Sequence, residues 1–164
     1  MSKIRDDKQA LDAFIHAHSY PAEDGLIVRR LMRHPVHARS DRGNAAAYFK
    51  FPGLRTLEAH VSELPAGASA TLHRHNCEAL FYVLKGRGYT VVHKARRTKR
   101  RIDWKEGDLF FTPIHVWHQH FNASTRSVVR YLEITTIPMM KLLGAWFIES
   151  KPGEKTEQIA ADRL

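Results

Sequence analysis

Between residues 57 and 136 the chain is written in short, strand-length segments, each closed by glycine, proline or a charged turn. Leu57, Ala59 and Val61 alternate with Glu58, His60 and Ser62, and "LPAGA" ends that run. "ATLHRHN", "ALFYVLKG" and "GYTVVH" follow, then "RIDW", the turn "KEGD", "LFFTP", "WHQHF" and "SVVRYLEITTI". Period-two alternation over so few residues suits half-buried strands. Many short strands bury their apolar faces only by closing on themselves or on a second sheet, which predicts an all-β antiparallel sandwich or barrel. For a single domain of 164 residues the jelly roll is the natural closed form.

The flanks read differently. Leu11, Phe14, Ile15 and His18 fall at helical spacing within residues 7 to 18, with Asp6 or Asp7 as the cap. Residues 22 to 47 are mixed and basic and give no clear element. Pro138 opens a C-terminal helix expected to run to about Ile148. The expected layout is an N-terminal helix and extension over 1–56, the barrel over 57–136, and a C-terminal helix and tail over 137–164, in one domain.

Composition narrows the setting. A lone cysteine, Cys77, forms no internal disulfide and suits a reducing compartment. Charges and histidines interrupt the N-terminus, which has no apolar core of signal-peptide type. The most apolar stretch, "IPMMKLLGAWFI", is too short to cross a bilayer and contains Lys141. A cytoplasmic protein with no membrane span is expected. Lys and Arg number 26 against 17 Asp and Glu, a net +9, and "HKARRTKRR" at 93–101 holds six of the cations. No aromatic residue interleaves with that run, so a solvated hairpin tip is favoured over a nucleic-acid surface.

The chemistry concentrates in histidines. His73 and His75 are two apart and share a strand face, so two imidazoles converge if that face is the interior. A third histidine in a matching context is needed for a metal site, and "EGDLFFTPIHVWHQHFN" supplies the candidate, His118. Five residues separate Gly67 from His73-x-His75, and Gly86 closes the segment. Gly107, Pro113, His118 and Asn122 keep a second fixed spacing, with His115 where that pattern has an inner glycine. These two motifs resemble those of the cupin superfamily, over roughly residues 57 to 136. The resemblance implies a jelly-roll barrel with metal ligands at His73, His75 and His118.

The position of the usual glutamate ligand, separated from Gly86 by six residues, holds Ala79. Glu78 is its neighbour and faces the other side of a regular strand; only a bulge would turn it inward as a fourth ligand. Three neutral imidazoles leave a divalent ion its full charge and open positions, which suit an anionic bidentate ligand. Within the cupins, His73-Arg74-His75, Ala79-Leu80 and Trp117-His118-Gln119-His120 with Asn122 look most like gentisate 1,2-dioxygenase and its salicylate relatives. That resemblance implies Fe(II), dioxygen and cleavage of an aromatic hydroxy-acid; small three-histidine cupins that cleave β-diketones are a second precedent. Zinc, manganese or nickel are the other metals considered. A binding or regulatory module, or a metal-dependent isomerase or lyase, is the alternative to an oxygenase.

His120 shares the parity of His118 and is read as an acid–base group beside the metal or as a core histidine. Phe81 and Val83, on the parity of Ala79, are expected as pocket wall, with His115 at its mouth. Arg74 should point away from the metal, Trp104 and Trp117 should pack, and Glu133 should face outward and pair with Arg130 or a neighbouring strand. Cys77 is placed in a flexible turn, and histidines 16, 18, 34, 37, 60 and 93 show no convergent pattern. Edge strands and the apolar segment 137–148 point to a homodimer or a dimer of dimers.

Overall fold

The structure is a computed structural model and describes residues 3–95 and 98–154; Arg96 and Arg97 of the basic tip lie outside the described residues. In chain order the elements are α1 (Lys3–Ala17), β1 (Ser19–Pro21), a 3-10 turn (Leu31–Arg33), β2 (His37–Arg39), β3 (Asn44–Lys50), β4 (Glu58–Leu64), β5 (Leu72–His75) and β6 (Ala79–Lys85). After them come β7 (Arg87–Ala95), β8 (Thr98–Lys105), β9 (Leu109–Thr112), β10 (His118–Asn122), β11 (Val129–Thr135), α2 (Ile137–Leu142) and β12 (Ile148–Lys151). One sheet runs β1-β3-β4-β11-β6-β9, with β2 beside β3; the other runs β12-β5-β10-β7-β8. All pairings are antiparallel except β1 with β3. This is the expected jelly roll.

The sheets are joined by aromatic packing. Trp104 of β8 stacks on Phe110 of β9 at 5.5 Å, and Phe110 stacks on Phe81 of β6 at 4.8 Å. Each such side chain, once buried, stabilises the fold by about 2–3 kcal/mol. Gly88 is required by this packing, because a Cβ there would meet the Phe121 carbonyl and the Trp104 ring at 2.2 Å. A second apolar cluster brings Leu11 of α1 against Tyr48, Ile137, Trp146 and Ile148, so the helix closes one end of the barrel. Among the described residues no helix is long and apolar enough to cross a membrane.

The flanks differ from expectation. Helix α1 begins at Lys3, so Asp7 lies inside it, and its carboxylate accepts the Ser150 N–H at 2.7 Å. α2 stops at Leu142, and the chain then adds β12 to the edge of β5 rather than continuing as a helix. Residues 44–50 form β3, a full partner of β4. The extension before it covers the outer face of that sheet, where Arg130 donates to the carbonyls of Leu31 and His34.

Candidate metal centre

Pairing of β10 with β5 sets His118 opposite His73, and strand alternation puts His75 on the same face. The ring centroids of His73 and His75 lie 4.2 and 4.9 Å from that of His118. One ligand atom from each of the three lies within 4.8 Å of the others, and all three residues are buried. The Nδ1 atoms are engaged by backbone: Thr71 O at 2.8 Å for His73, Cys77 O at 3.0 Å for His75 and Val116 O at 2.8 Å for His118. A carbonyl only accepts, so each Nδ1 carries the hydrogen and each Nε2 presents a bare lone pair.

The His118 Nε2 is buried and has no partner among the described residues. Such an atom costs free energy unless something fills it, and three converging lone pairs fit a divalent cation. Burial, the Arg42 charge and the neighbouring rings hold His73 well below the usual imidazole range. Burial and the His75 and His120 rings do the same for His118, and burial takes His75 to about 4. Neutral rings are the form that binds metals.

His120 adjoins this cluster without belonging to it, its ring 5.5 Å from that of His118. Trp104 Nε1 donates to Thr90 Oγ1 at 2.9 Å, so the Thr90 hydroxyl hydrogen is available to His120 Nδ1 at 2.8 Å. With that hydroxyl as the donor, the imidazole hydrogen sits on Nε2. Burial lowers this ring to about 4 and keeps it neutral.

His73, His75 and His120 line a cavity of about 40 Å³, and the facing wall comes from residues that the sequence motifs do not mark. Glu133 of β11 was expected to face outward; instead it lines this cavity, and its carboxylate lies 3.0 Å from Nε2 of His60 on β4. Arg130, one face over, pairs with Glu63 at 2.7 Å. Burial works to raise the Glu133 carboxyl, but the charge and hydrogen bond of His60 overcome it and hold it at about 2. Tyr48 stacks on His60 at 4.3 Å, and Arg39 and Arg42 also border the space. Desolvation and the repulsion of Arg39 bring Arg42 down to about 10. His60, read as patternless, is therefore a cavity residue. The usable signal was the polar set His60, Ser62 on one face of β4.

The remaining expected positions are placed as follows. Glu78 is exposed, its N–H donating to Thr136 Oγ1 at 2.9 Å, and it borders an outer groove with Leu80 and Phe111 rather than the histidines. No bulge turns it inward, since β6 pairs regularly with β9 from Ala79 on. Ala79, Phe81 and Val83 do face inward, but they form the apolar core beneath His120 and do not line the cavity. His115 is exposed and away from the cavity lining, with a backbone φ of 61°. Arg74 points outward to Glu149 at 2.7 Å and over the Trp117 ring. Cys77 is buried rather than in a flexible turn, and burial pushes its thiol up, which leaves it unreactive. The Asn122 amide donates to the carbonyls of Leu64, Pro65 and Ser127, a structural clamp.

Residues 60–135 match the family model described as a cupin domain. The chain is 33% identical over 95 residues to 5-aminosalicylate 1,2-dioxygenase of Comamonas sp., covering 58% of this chain and 24% of that protein. It is 30% identical over 115 residues to gentisate 1,2 dioxygenase 1 of Aquipseudomonas alcaligenes, covering 66% and 31%. Auxin-binding protein T92 of Nicotiana tabacum is 25% identical over 95 residues, covering 55% and 51%. Among solved structures, a salicylate 1,2-dioxygenase mutant from Pseudoaminobacter salicylatoxidans in complex with gentisate superposes with a TM-score of 0.60. That match has 18% identity and covers 73% of this chain and 32% of the other, a likeness of fold. The chain thus spans about a quarter to a third of the length of the two dioxygenases.

Proposed function

We propose, from the match of residues 60–135 to the cupin domain model, that the protein is a mononuclear non-haem Fe(II) dioxygenase that uses dioxygen to cleave a small anionic bidentate substrate. The observation that carries this reading is the set of three neutral imidazoles, each fixed at Nδ1 by a carbonyl, converging with no carboxylate among them. His73, His75 and His118 would hold the ion through Nε2. A ferrous ion so held supplies redox chemistry with dioxygen and, unneutralised by protein, favours a chelating anion.

The chain's own residues do the rest. Arg42 adds positive charge beside His73 and attracts an acid into the cavity. Leu11, Ile137 and Trp146 close the space and exclude water, so that the reactants stay in place. His120 would hold or pass a proton at Nε2, steadied by Thr90. The dioxygenase relatives favour a gentisate- or salicylate-like acid, whereas the small cavity favours a more compact chelator of the β-diketone kind.

Anaerobic iron loading followed by oxygen-uptake assays on gentisate, salicylates and β-diketones tests the proposal. Uptake coupled to substrate loss is expected, and a fully iron-loaded protein that consumes no oxygen across the panel would overturn it. The likeness to an auxin-binding protein favours a second reading, a binding module without turnover. That reading predicts ligand affinity without oxygen consumption. The row Leu80, Tyr82, Leu109 and Phe111, exposed on the outer face of β6 and β9, supports pairing with a second copy of the chain. Sedimentation would show a dimer, and Phe111→Glu would dissociate it.

A further inference from the structure

Glu133 is the one carboxylate among the described residues that line the cavity, and it takes no part in the histidine cluster. His60 Nε2 fixes one of its oxygens, Oε2, and Tyr48 stacks behind the ring, so the anion is held in one place. Its side chain keeps 17% of its surface accessible, and its other oxygen has no protein donor among the described residues. An ionised carboxylate offers about four acceptor sites, and one donor leaves most of them facing the cavity.

Donors border the same space. Arg42 Nη1 bonds Ser150 Oγ at 2.8 Å, and among the described residues no carboxylate pairs with this guanidinium. Trp146 is buried, lines the cavity, and its Nε1 has no partner. The cavity therefore has a cationic side, next to the histidines, and an anionic side at Glu133. At about 40 Å³ the space takes a small polar end of a ligand, such as a hydroxyl or ammonium group, and not a ring, since a cavity that admits benzene measures roughly 150 Å³.

We propose that Glu133, clamped by His60, determines specificity: the substrate is a short aliphatic acid that carries a hydroxyl or ammonium group to donate to this carboxylate, in place of an aromatic ring. The inference rests on reading the three histidines as a metal site that chelates the acid. A plain acid of the same length places a methyl group against the Glu133 oxygen and leaves it unsatisfied. A donor at that point makes a charge-assisted hydrogen bond, and the two cases differ by about tenfold or more in affinity.

The test uses the full chain loaded with zinc, which is redox-silent, titrated calorimetrically with propionate, 3-hydroxypropionate, 3-aminopropionate and gentisate. The hydroxy and amino acids should bind at least ~10-fold more tightly than propionate, with gentisate weakest. Glu133→Gln should close the gap for the amino acid, whereas Arg42→Leu should weaken all three aliphatic acids together. His60→Gln keeps the carboxylate but loosens it, and should narrow the gap even if Glu133→Gln fails to fold. Equal affinities for propionate and its derivatives, an amino-acid gap that survives Glu133→Gln, or gentisate as the tightest ligand would each overturn the proposal. An affinity gap with no oxygen uptake by the iron-loaded chain would sink the dioxygenase reading and leave this inference standing. Uptake without the gap would do the reverse.

Discussion

On one wall of the cavity β5 presents two imidazoles, joined by His118 of β10, and the Nδ1 hydrogens of all three go to neutral backbone carbonyls; on the other, β4 presents an imidazole engaged with the Glu133 carboxylate of β11. The side chain is the same and its partner decides its chemistry. A carbonyl fixes the tautomer and leaves a neutral ring with a free lone pair, the form a cation needs. A carboxylate draws the ring's hydrogen and in return has its own charge fixed. Two histidine environments thus give the site free ring lone pairs on one side and a fixed anion on the other.

The largest expected effect falls on the first wall. His118→Ala should abolish stoichiometric metal binding, lowering affinity by well over ~100-fold, since even an outer partner of a ligand is worth about 10–100-fold. Glu133→Gln should leave the metal content unchanged. Elemental analysis after loading and dialysis of both variants reads this directly, and equal metal loss in both would erase the distinction between the walls. The next effect belongs to Glu133 and depends on pH. Its folded pKa, about 2, lies below an unfolded value of about 4.3, so it contributes stability that is fully present above pH ~4.3 and lost as pH falls toward 2. The contribution is on the order of 3 kcal/mol. Glu133→Gln should flatten the stability curve between pH ~4.5 and ~2, as followed by denaturant unfolding. An unchanged slope would mean that His60 does not hold the carboxylate ionised.

The same division governs what could be read from the sequence. The histidine wall was legible because its spacing is set by local geometry: two residues on one strand face, and a third between fixed glycines. Gly67, Gly86 and Gly107 all have positive φ, the backbone reason for those positions. The Glu133 wall has no local spacing, because β4 and β11 are 65 or more residues apart in sequence and meet only through their register, His60 against Glu133. β4 also inverts the usual rule. Its apolar residues Ala59 and Val61 pack outward under the N-terminal extension, while His60 and Ser62 face in. An apolar-inward assumption places such a strand backwards when the interior is a polar cavity and the outside is covered. β12 was hidden for a related reason: "FIESK" is too short and mixed to signal a strand, and only the open edge of β5 makes it one.

The smallest effect concerns His115, which occupies the inner glycine position of the second motif. Its φ of 61° is left-handed backbone, where a Cβ costs on the order of 1 kcal/mol. The segment is held there because the His115 N–H donates to the His75 carbonyl at 2.6 Å, which ties the loop to the strand bearing two of the metal-wall histidines. The side chain gives little back, being exposed with the Phe147 ring 5.8 Å away between centroids. Glycine relieves the strain and keeps the hydrogen bond, at some added entropy in the unfolded chain. His115→Gly should therefore stabilise the protein by roughly 0.5 kcal/mol and raise Tm by about 1–2 °C, with metal affinity unchanged. A fall in metal affinity in this variant would mean that the first wall extends to the His115 ring, and the boundary between the two walls would have to be redrawn.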